Sequence, residues 1–397
     1  MDFELPADDD PRRKAVRSWL EAHPSPTGRQ LAEAGYVVPH WPAPYGLDAD
    51  PVHQLIIDEE LRRSGVHRPT NPIGIGWAAP TILMAGSEAQ RDRYLWPALA
   101  GEEFWCQLFS EPDAGSDLAS LSTRAVRDGD EWVVSGTKIW TSGGHIAKYG
   151  ILLARTDPDA PKRKGISYFI CRMDTPGISM SPIIDMTGAH SFNQVFFDEA
   201  RLPADCLVGE VNDGWRLAKA TLANERVSLS TGGVLWGSGP SANDLVDLVR
   251  RSPVEGARAD PVLRQRVARV WIEGEVLRLI RLRTLSARIT GRPPGPEASV
   301  QKLLADEHGQ RVMELAKDLV GPAGMLAGSG PAGKLPPDRR GGATEIRFDE
   351  ELFPGVEKVW HYGFLFEPAL TIGGGTWAVQ RNIIGELVLG LPRDPGA

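Results

Sequence analysis

The chain has 397 residues, of which 42% are hydrophobic and 24% are charged. This composition predicts a folded protein with two or three packed regions and excludes the polar, highly charged class of disordered chains. The net charge is -8, and no basic stretch is long enough to follow a phosphate backbone, so a nucleic-acid partner is not expected.

Cysteine usage and hydropathy favour a cytoplasmic protein. The three cysteines, Cys106, Cys171 and Cys206, have no paired spacing, which is typical of reduced thiols rather than of a disulfide framework. The first residues lack the basic segment followed by an apolar segment that is typical of an export signal. No apolar run reaches the length that spans a membrane. We therefore expect neither an export signal nor a membrane span.

Helical periodicity dominates the two ends of the chain. Apolar residues recur at spacings of three to five from Pro11 to about Gly101. The helical pattern returns after Gly214 and continues through 245–248, 262–285, 300–320 and 377–389. Between these regions, short β-rich runs alternate with turn signals. The predicted runs are 105–109, 131–140, 149–154, 166–171 and 194–197. The predicted domains are 1–103 (helical), 104–211 (β) and 212–397 (helical).

A hairpin is predicted inside the β region at Asp128-Gly129-Asp130. This turn separates two runs of β-forming residues, and glycine tolerates the positive φ that tight hairpin turns require. A sheet domain is therefore expected in the middle of the chain.

Three common site patterns are weak or absent. Residues 328–333 form a formal G-x-G-x-x-G, but no strand precedes them and Pro336-Pro337 follows, so an ordinary loop is favoured over a dinucleotide site. The eight histidines include no H-E-x-x-H or other metal spacing, and no metal site is expected. A hydrolase triad of Ser116, His145 and Asp117 has no supporting G-x-S-x-G motif.

Two strand exits carry more information. Residues 109–117 read Phe-Ser-Glu-Pro-Asp-Ala-Gly-Ser-Asp, and residues 136–144 read Gly-Thr-Lys-Ile-Trp-Thr-Ser-Gly-Gly. Hydroxyls and backbone N–H groups at such turns bind planar heterocycles or phosphates, and an aromatic ring covers a flat face. Alone, the first segment is better interpreted as an ordinary strand-ending turn with a capping side chain. The two segments together resemble the acyl-CoA dehydrogenase family.

The resemblance extends over most of the chain. Further segments that match in order are 150–157, Met186-Thr187-Gly188, 192–198, Gly374-Gly375-Thr376 and 380–384. The family's fold is mainly α with a central β domain: an N-terminal helical domain, a middle β-barrel-like sheet domain and a C-terminal four-helix bundle. The resemblance thus implies the same three regions that the periodicity predicts.

The resemblance also implies a cofactor, a reaction and partners. FAD would be bound by eight residues: Phe109, Ser110, Gly115, Ser116, Trp140, Thr141, Ser142 and Thr376. The acyl-CoA substrate would be bound by three: Ser116, Arg226 and Gly374. The implied reaction is α,β-dehydrogenation to a trans-2-enoyl-CoA, with electrons passing to an electron-transfer flavoprotein. A homo- or hetero-oligomer, either a dimer or a tetramer, is implied as well.

The predicted catalytic base is Glu225. Family members place their glutamate in one of two positions, and here the position before the C-terminal Gly-Thr is Gly374, which cannot accept a proton. The other position, directly before an arginine, is occupied by Glu225. Helical spacing also predicts that Glu225 shares an apolar face with Trp215, Ala218, Leu222 and Leu229, where poor solvation raises a carboxyl pKa. Without the resemblance, a structural glutamate paired with an arginine is an equally good interpretation.

Two departures from the family leave alternatives open. Residues 253–260 lack the arginine and Phe-Gly pair that reaches a neighbouring flavin in many members, and Trp377 stands where a small residue is usual. One alternative is a partner subunit of a hetero-oligomeric dehydrogenase with an incomplete flavin site. Another is an acyl-CoA oxidase or flavin monooxygenase on the same fold.

Overall fold

The computed structural model describes residues 7–230, 240–251, 259–289, 295–296, 298–320 and 358–393, the side chains of 226–230, 251, 285–289, 320, 358 and 359 excepted. Two compact units divide the chain. The first is Met1–Ser181 with Phe192–Thr221, and the second is Pro182–Ser191 with Leu222–Ala397. Each unit is described by itself.

Among the residues that the structure describes, five α-helices precede the first strand of the sheet. Their bounds are α1 Pro11–Ala22, α2 Gly28–Glu33, α3 Pro51–Arg63, α4 Ala79–Ala85 and α5 Glu88–Leu99, and a π-helical turn, Gly74–Ala78, leads into α4. Local chemistry explains where these helices begin. Thr27 and Ser87 form capping boxes with Gln30 and Gln90, which satisfy N–H groups that a helix start leaves unpaired.

In the described part of the chain, eight strands form one sheet. Their bounds are β1 Trp105–Leu108, β2 Arg124–Asp128, β3 Glu131–Ser142, β4 Tyr149–Arg155, β5 Ile166–Arg172, β6 Ile178–Ile184, β7 His190–Pro203 and β8 Leu207–Val208. The strand order is β6-β7-β3-β2-β4-β5-β8, and β1 pairs in parallel with β4. β2 and β3 form the hairpin predicted at Gly129, whose φ is +57°.

The sheet packs over a buried apolar core. Trp132 of β3 and Phe169 of β5 meet edge to face, with ring centroids 5.3 Å apart. Leu152 and Val195 are 0% exposed in the same cluster. β4 and β5 read as nearly continuous apolar runs because both of their faces are buried.

Helices return after the sheet. Their bounds are α6 Gly214–Ser230, α7 Ala242–Arg251, α8 Pro261–Ile289, α9 Ala298–Val320, α10 Lys358–Leu370 and α11 Trp377–Ile383, which continues into a π-helical turn, Ile384–Val388. In the described part of the chain, no helix is both long and apolar enough to span a membrane. The predicted fold class, with helices flanking a central sheet domain, is confirmed.

Candidate active site

The first strand exit places Phe109 and Ser110 directly after β1. Phe109 is 3% exposed, and its ring meets Tyr168 edge to face at 6.0 Å. The Ser110 carbonyl accepts a hydrogen bond of 2.9 Å from the Ile139 backbone N–H. The second predicted segment therefore lies beside the first, through the end of β3.

The turn that follows β1 leaves open space at Gly115. Reciprocal backbone hydrogen bonds between Glu111 and Ala114, both 3.1 Å, close the turn. Gly115 and Ser116 are exposed, and a Cβ built at Gly115 meets no described atom within 4 Å. Packing inside the described chain does not require a glycine here, whereas close approach of a ligand to the backbone would.

Trp140 adopts an unusual conformation for a large residue. Its φ is +60°, it lies where the β3–β7 register shifts between Lys138 and Thr141, and its side chain is 57% exposed. Phe192 contacts the ring edge to face at 5.9 Å. A bulge with positive φ at a non-glycine residue stores strain that is common at ligand sites. The structure thus presents an aromatic face at the strand exit where the sequence predicts one.

Thr141 and Ser142 complete the second segment. Thr141 is 0% exposed, and its Oγ1 has no hydrogen-bond partner among the described residues. Its carbonyl accepts a hydrogen bond of 3.1 Å from Asn193 Nδ2. A buried hydroxyl without a partner is costly. Ser142 is exposed.

These features fit a planar aromatic cofactor with polar edges, such as a flavin. The exposed residues Trp140 and Ser142 and the open turn at Gly115 all lie in the first unit. The described contacts of the alternative triad are with other residues: Asp117 forms an ion pair with Lys162, and His145 Nδ1 lies 3.2 Å from Asn193 Nδ2. Among the described residues, no group of side chains has the composition of a metal site.

A buried ion pair that was not predicted from the sequence joins the two segments. Lys138 is 0% exposed, and its Nζ lies 2.8 Å from Glu111 Oε1. Burial alone would raise the pKa of the Glu111 carboxyl, but the Lys138 ammonium and the hydrogen bonds from residues 122 and 123 lower it to about 2. The feature of the sequence that could have indicated this ion pair is a lysine, Lys138, at a position of the strand that faces inward.

The lowered pKa predicts an acid-dependent loss of stability. Because the folded pKa of Glu111 lies below its ordinary value of 4.5, the stability from Glu111 is complete above that value and is lost as pH falls toward 2. We expect Glu111→Gln to be less stable than the parent at neutral pH and to show a smaller loss between about pH 5 and about pH 3. Urea unfolding across this range measures both effects, and an acid dependence equal to the parent's would contradict the assignment.

The candidate base, Glu225, is buried on α6. It is 7% exposed. The buried line along the described part of the helix runs through Leu217, Ala218, Thr221 and Glu225, whereas Trp215 and Leu222 are only half-buried. The prediction of an apolar face is therefore wrong in one respect: the polar residue Thr221 lies on the buried face, one turn before Glu225. The Leu229 side chain lies outside the described residues.

Thr221 anchors α6 through hydroxyl contacts that the sequence did not reveal. Its Oγ1 lies 2.8 Å from Thr81 Oγ1 and 3.2 Å from the Tyr168 hydroxyl. At the start of the helix, Gly214 packs so closely on β5 that an added Cβ would lie 2.6 Å from the Ser167 carbonyl carbon. The first half of α6 is thus held against β5 by Gly214 and the Tyr168 hydroxyl, and against α4 by the Thr81 hydroxyl.

The remaining predicted residues lie in the second unit. Gly374 has a φ of +71°, and its carbonyl accepts a hydrogen bond of 3.0 Å from Gln380 Nε2. Thr376 caps α11, with its side chain accepting from the Val379 N–H. The Arg226 side chain, the formal G-x-G-x-x-G at 328–333 and most of the segment 253–260 lie outside the described residues.

Family models match the chain in three consecutive parts. The acyl-CoA dehydrogenase N-terminal domain matches residues 10–102, the middle domain residues 106–200 and the C-terminal domain residues 212–344. The three matches follow the order of the family's domains. They cover both strand exits and α6.

Curated relatives agree with these matches. The chain is 41% identical over 363 residues to acyl-CoA dehydrogenase FadE34 of Mycobacterium tuberculosis, covering 91% of this chain but 46% of that protein. It thus spans about half the length of FadE34. It is 37% identical over 367 residues to acyl-CoA dehydrogenase IpdE1 of the same organism, covering 92% of this chain and 87% of that protein.

Solved structures show the same fold. A structure described as the Tcur3481-Tcur3483 steroid ACAD has a TM-score of 0.74 and 30% identity, covering 99% of this chain and 100% of that one. The ChsE4-ChsE5 complex from Mycobacterium tuberculosis has a TM-score of 0.73 and 30% identity, with the same coverage. With its three domain matches and a relative 37% identical over nearly its full length, the chain belongs to the acyl-CoA dehydrogenase family of flavoprotein oxidoreductases.

Proposed function

We propose that this chain uses FAD to convert an acyl-CoA thioester to its trans-2-enoyl-CoA, with Glu225 as the base that removes the α-proton. The observation that carries the proposal is the burial of Glu225, 7% exposed on a helix of this family's C-terminal domain. The other family position for the base is Gly374, which has no side chain to accept a proton.

The reaction divides its two hydrogens between the protein and the cofactor. Glu225 takes the α-proton, the C–H electron pair forms the new double bond, and the β-hydrogen leaves with its own pair. FAD, when bound, supplies the acceptor for that hydride. A carboxylate screened from water is a stronger base toward a thioester than a hydrated one, so burial suits this role.

The residues of the first unit would hold the cofactor. Phe109 and Trp140 would pack on the flavin ring, while Ser110, Thr141 and Ser142 would donate hydrogen bonds to its polar edge. Gly115 would lie against the cofactor, and Ser116 would lie between the cofactor and the CoA arm. Thr376 is a further proposed FAD contact, and Arg226 and Gly374 are proposed contacts of the acyl-CoA substrate.

Thr141→Val tests the cofactor assignment, because it should make the FAD-free protein more stable and FAD binding weaker. Removing a buried hydroxyl that lacks a described partner should stabilise the FAD-free protein by about 1 kcal/mol. Losing a hydrogen bond to the flavin should weaken FAD binding about tenfold. Urea unfolding and FAD titration of the apoprotein measure these effects. Thr137→Val on the same strand should leave FAD affinity unchanged, and a Thr141→Val protein with unchanged affinity would refute the contact.

A hetero-oligomer is the second candidate, favoured by the structural relatives. One similar structure is described as a complex of ChsE4 and ChsE5, and another pairs Tcur3481 with Tcur3483. This chain would then share a flavin site with a different subunit. Flavin absorbance of the purified chain, with and without a candidate partner, distinguishes the two candidates. A stoichiometric flavin in the isolated chain supports the first.

Substrate and electron acceptor are separate questions. Because one structural relative is described as a steroid ACAD, thioesters with a steroid side chain belong in the test panel beside straight and branched acyl-CoAs. Bleaching of the flavin under anaerobic conditions identifies the substrate. Electron transfer to an electron-transfer flavoprotein, rather than oxygen consumption, separates a dehydrogenase from an oxidase or monooxygenase.

A further inference from the structure

Lys138 is a charged side chain with no access to water. It is 0% exposed on β3, and its Nζ donates to the Phe109 carbonyl at 3.0 Å and to Glu111 Oε1 at 2.8 Å. Removing an ammonium from water is expensive unless partners replace the lost hydration. The two bonds direct this ammonium at the turn that follows β1.

Glu111 receives hydrogen bonds from a third segment. Its Oε1 accepts from the Thr123 N–H at 2.9 Å, and its Oε2 accepts from the Ser122 N–H at 2.6 Å and the Ser122 hydroxyl at 2.8 Å. Glu111 is 5% exposed. The pair therefore ties the turn after β1, the approach to β2 and the end of β3 into one buried network.

The network lies next to both proposed flavin segments. Phe109, whose carbonyl Lys138 binds, directly precedes Ser110, and Lys138 itself is two residues before Trp140. A buried ion pair adds little net stability compared with apolar side chains of similar size. The stability of the sheet therefore does not explain why a charged pair is buried at this position. A need to fix the spacing between the two proposed flavin-binding segments does explain it.

We infer that Lys138 and Glu111 are positioning residues that set the separation between Ser110 and the Trp140–Ser142 segment, and through it the affinity for the flavin ring. This inference rests on the proposed function, because it takes these segments as the flavin site. Neither residue contacts the cofactor in this account. Their effect passes through the Phe109 carbonyl and the end of β3.

The test compares three variants of the full chain. Lys138→Met/Glu111→Leu replaces the pair with apolar side chains, Glu111→Gln keeps the shape but removes the charge, and Lys148→Met is the control. Lys148 belongs to another ion pair of the same sheet region, 2.7 Å from Glu103 Oε1, but it is 49% exposed and lies outside the proposed flavin site. The measurements are FAD titration of the apoprotein, the visible spectrum of bound flavin and thermal unfolding.

We expect the unfolding temperature of the double variant to lie within a few degrees of the parent's, because apolar replacement of a buried pair is often neutral. The same variant should bind FAD about a hundredfold more weakly than the parent, and its bound flavin should have an altered spectrum. Glu111→Gln should weaken FAD binding about tenfold, and Lys148→Met should bind as the parent does. If the double variant does not fold, Lys138→Met/Glu111→Gln decides, because it removes both charges and keeps the Glu111 side-chain shape. Parent-like FAD affinity in a folded pair variant would overturn the inference.

The parent chain separates this outcome from failure of the proposed function. If the parent binds FAD and oxidises an acyl-CoA while the pair variants bind FAD equally well, only the positioning role is wrong. If the parent binds no FAD, alone or with a partner subunit, the proposed function itself fails.

Discussion

Glu225→Gln is expected to lower the rate of flavin reduction by acyl-CoA about a thousandfold, because a general base contributes on the order of 10²–10⁴ to such a step. The amide keeps the shape of the side chain but cannot accept the α-proton. FAD should remain bound, since Glu225 is not among the proposed flavin contacts. Anaerobic stopped-flow absorbance at saturating substrate isolates this step from binding.

Two further variants serve as controls for the role of Glu225. Glu210→Gln, an exposed residue shortly before α6, should reduce flavin at the parent rate. Gly374→Glu in the Glu225→Gln background should recover part of the rate, because it places a carboxylate at the family's other base position. A Glu225→Gln protein that reduces its flavin at the parent rate would eliminate Glu225 as the base.

Gly214→Ala is expected to impair both stability and catalysis through the start of α6. The new Cβ would lie 2.6–2.8 Å from backbone atoms of Ile166 and Ser167, which cannot move aside as a flexible side chain could. We expect a loss of about 1–3 kcal/mol in the free energy of unfolding. Because α6 carries Glu225, a displacement of the helix start should lower kcat about a hundredfold.

Gly76→Ala is the matched control for this substitution. A Cβ at Gly76 meets no described atom within 4 Å, so the same chemical change should leave stability and kcat nearly unchanged. Urea unfolding and steady-state kinetics compare the two variants. Parent-like stability and kcat in Gly214→Ala would show that contact with β5 does not hold α6 in place.

Much of the fold was predictable where local chemistry decides it. The hairpin at Gly129 follows from a turn that needs positive φ, and the ordered helical and β regions follow from hydrophobic periodicity. β6 was missed because it is mostly exposed and contains Pro182, so it lacks the alternation of a half-buried strand. α10 was missed as well, and it contains Pro368.

The site was only partly predictable, because its key features are long-range. Spacing placed an aromatic residue and hydroxyls at two strand exits, but the positive φ of Trp140 depends on the bulge between β3 and β7. The contacts of Lys138 with Phe109 and Glu111 join residues 27 or more positions apart. Helical spacing placed Glu225 on a common face but assigned Leu222, rather than Thr221, to the buried line.

The most direct test of the proposed function is a single anaerobic turnover of the FAD-reconstituted chain with a panel of acyl-CoA thioesters. We predict that at least one thioester bleaches the flavin and yields one trans-2-enoyl-CoA per flavin, measured by absorbance and mass spectrometry. A chain that holds FAD, alone or with its partner subunit, but is neither bleached nor forms enoyl-CoA with any acyl class would contradict the account.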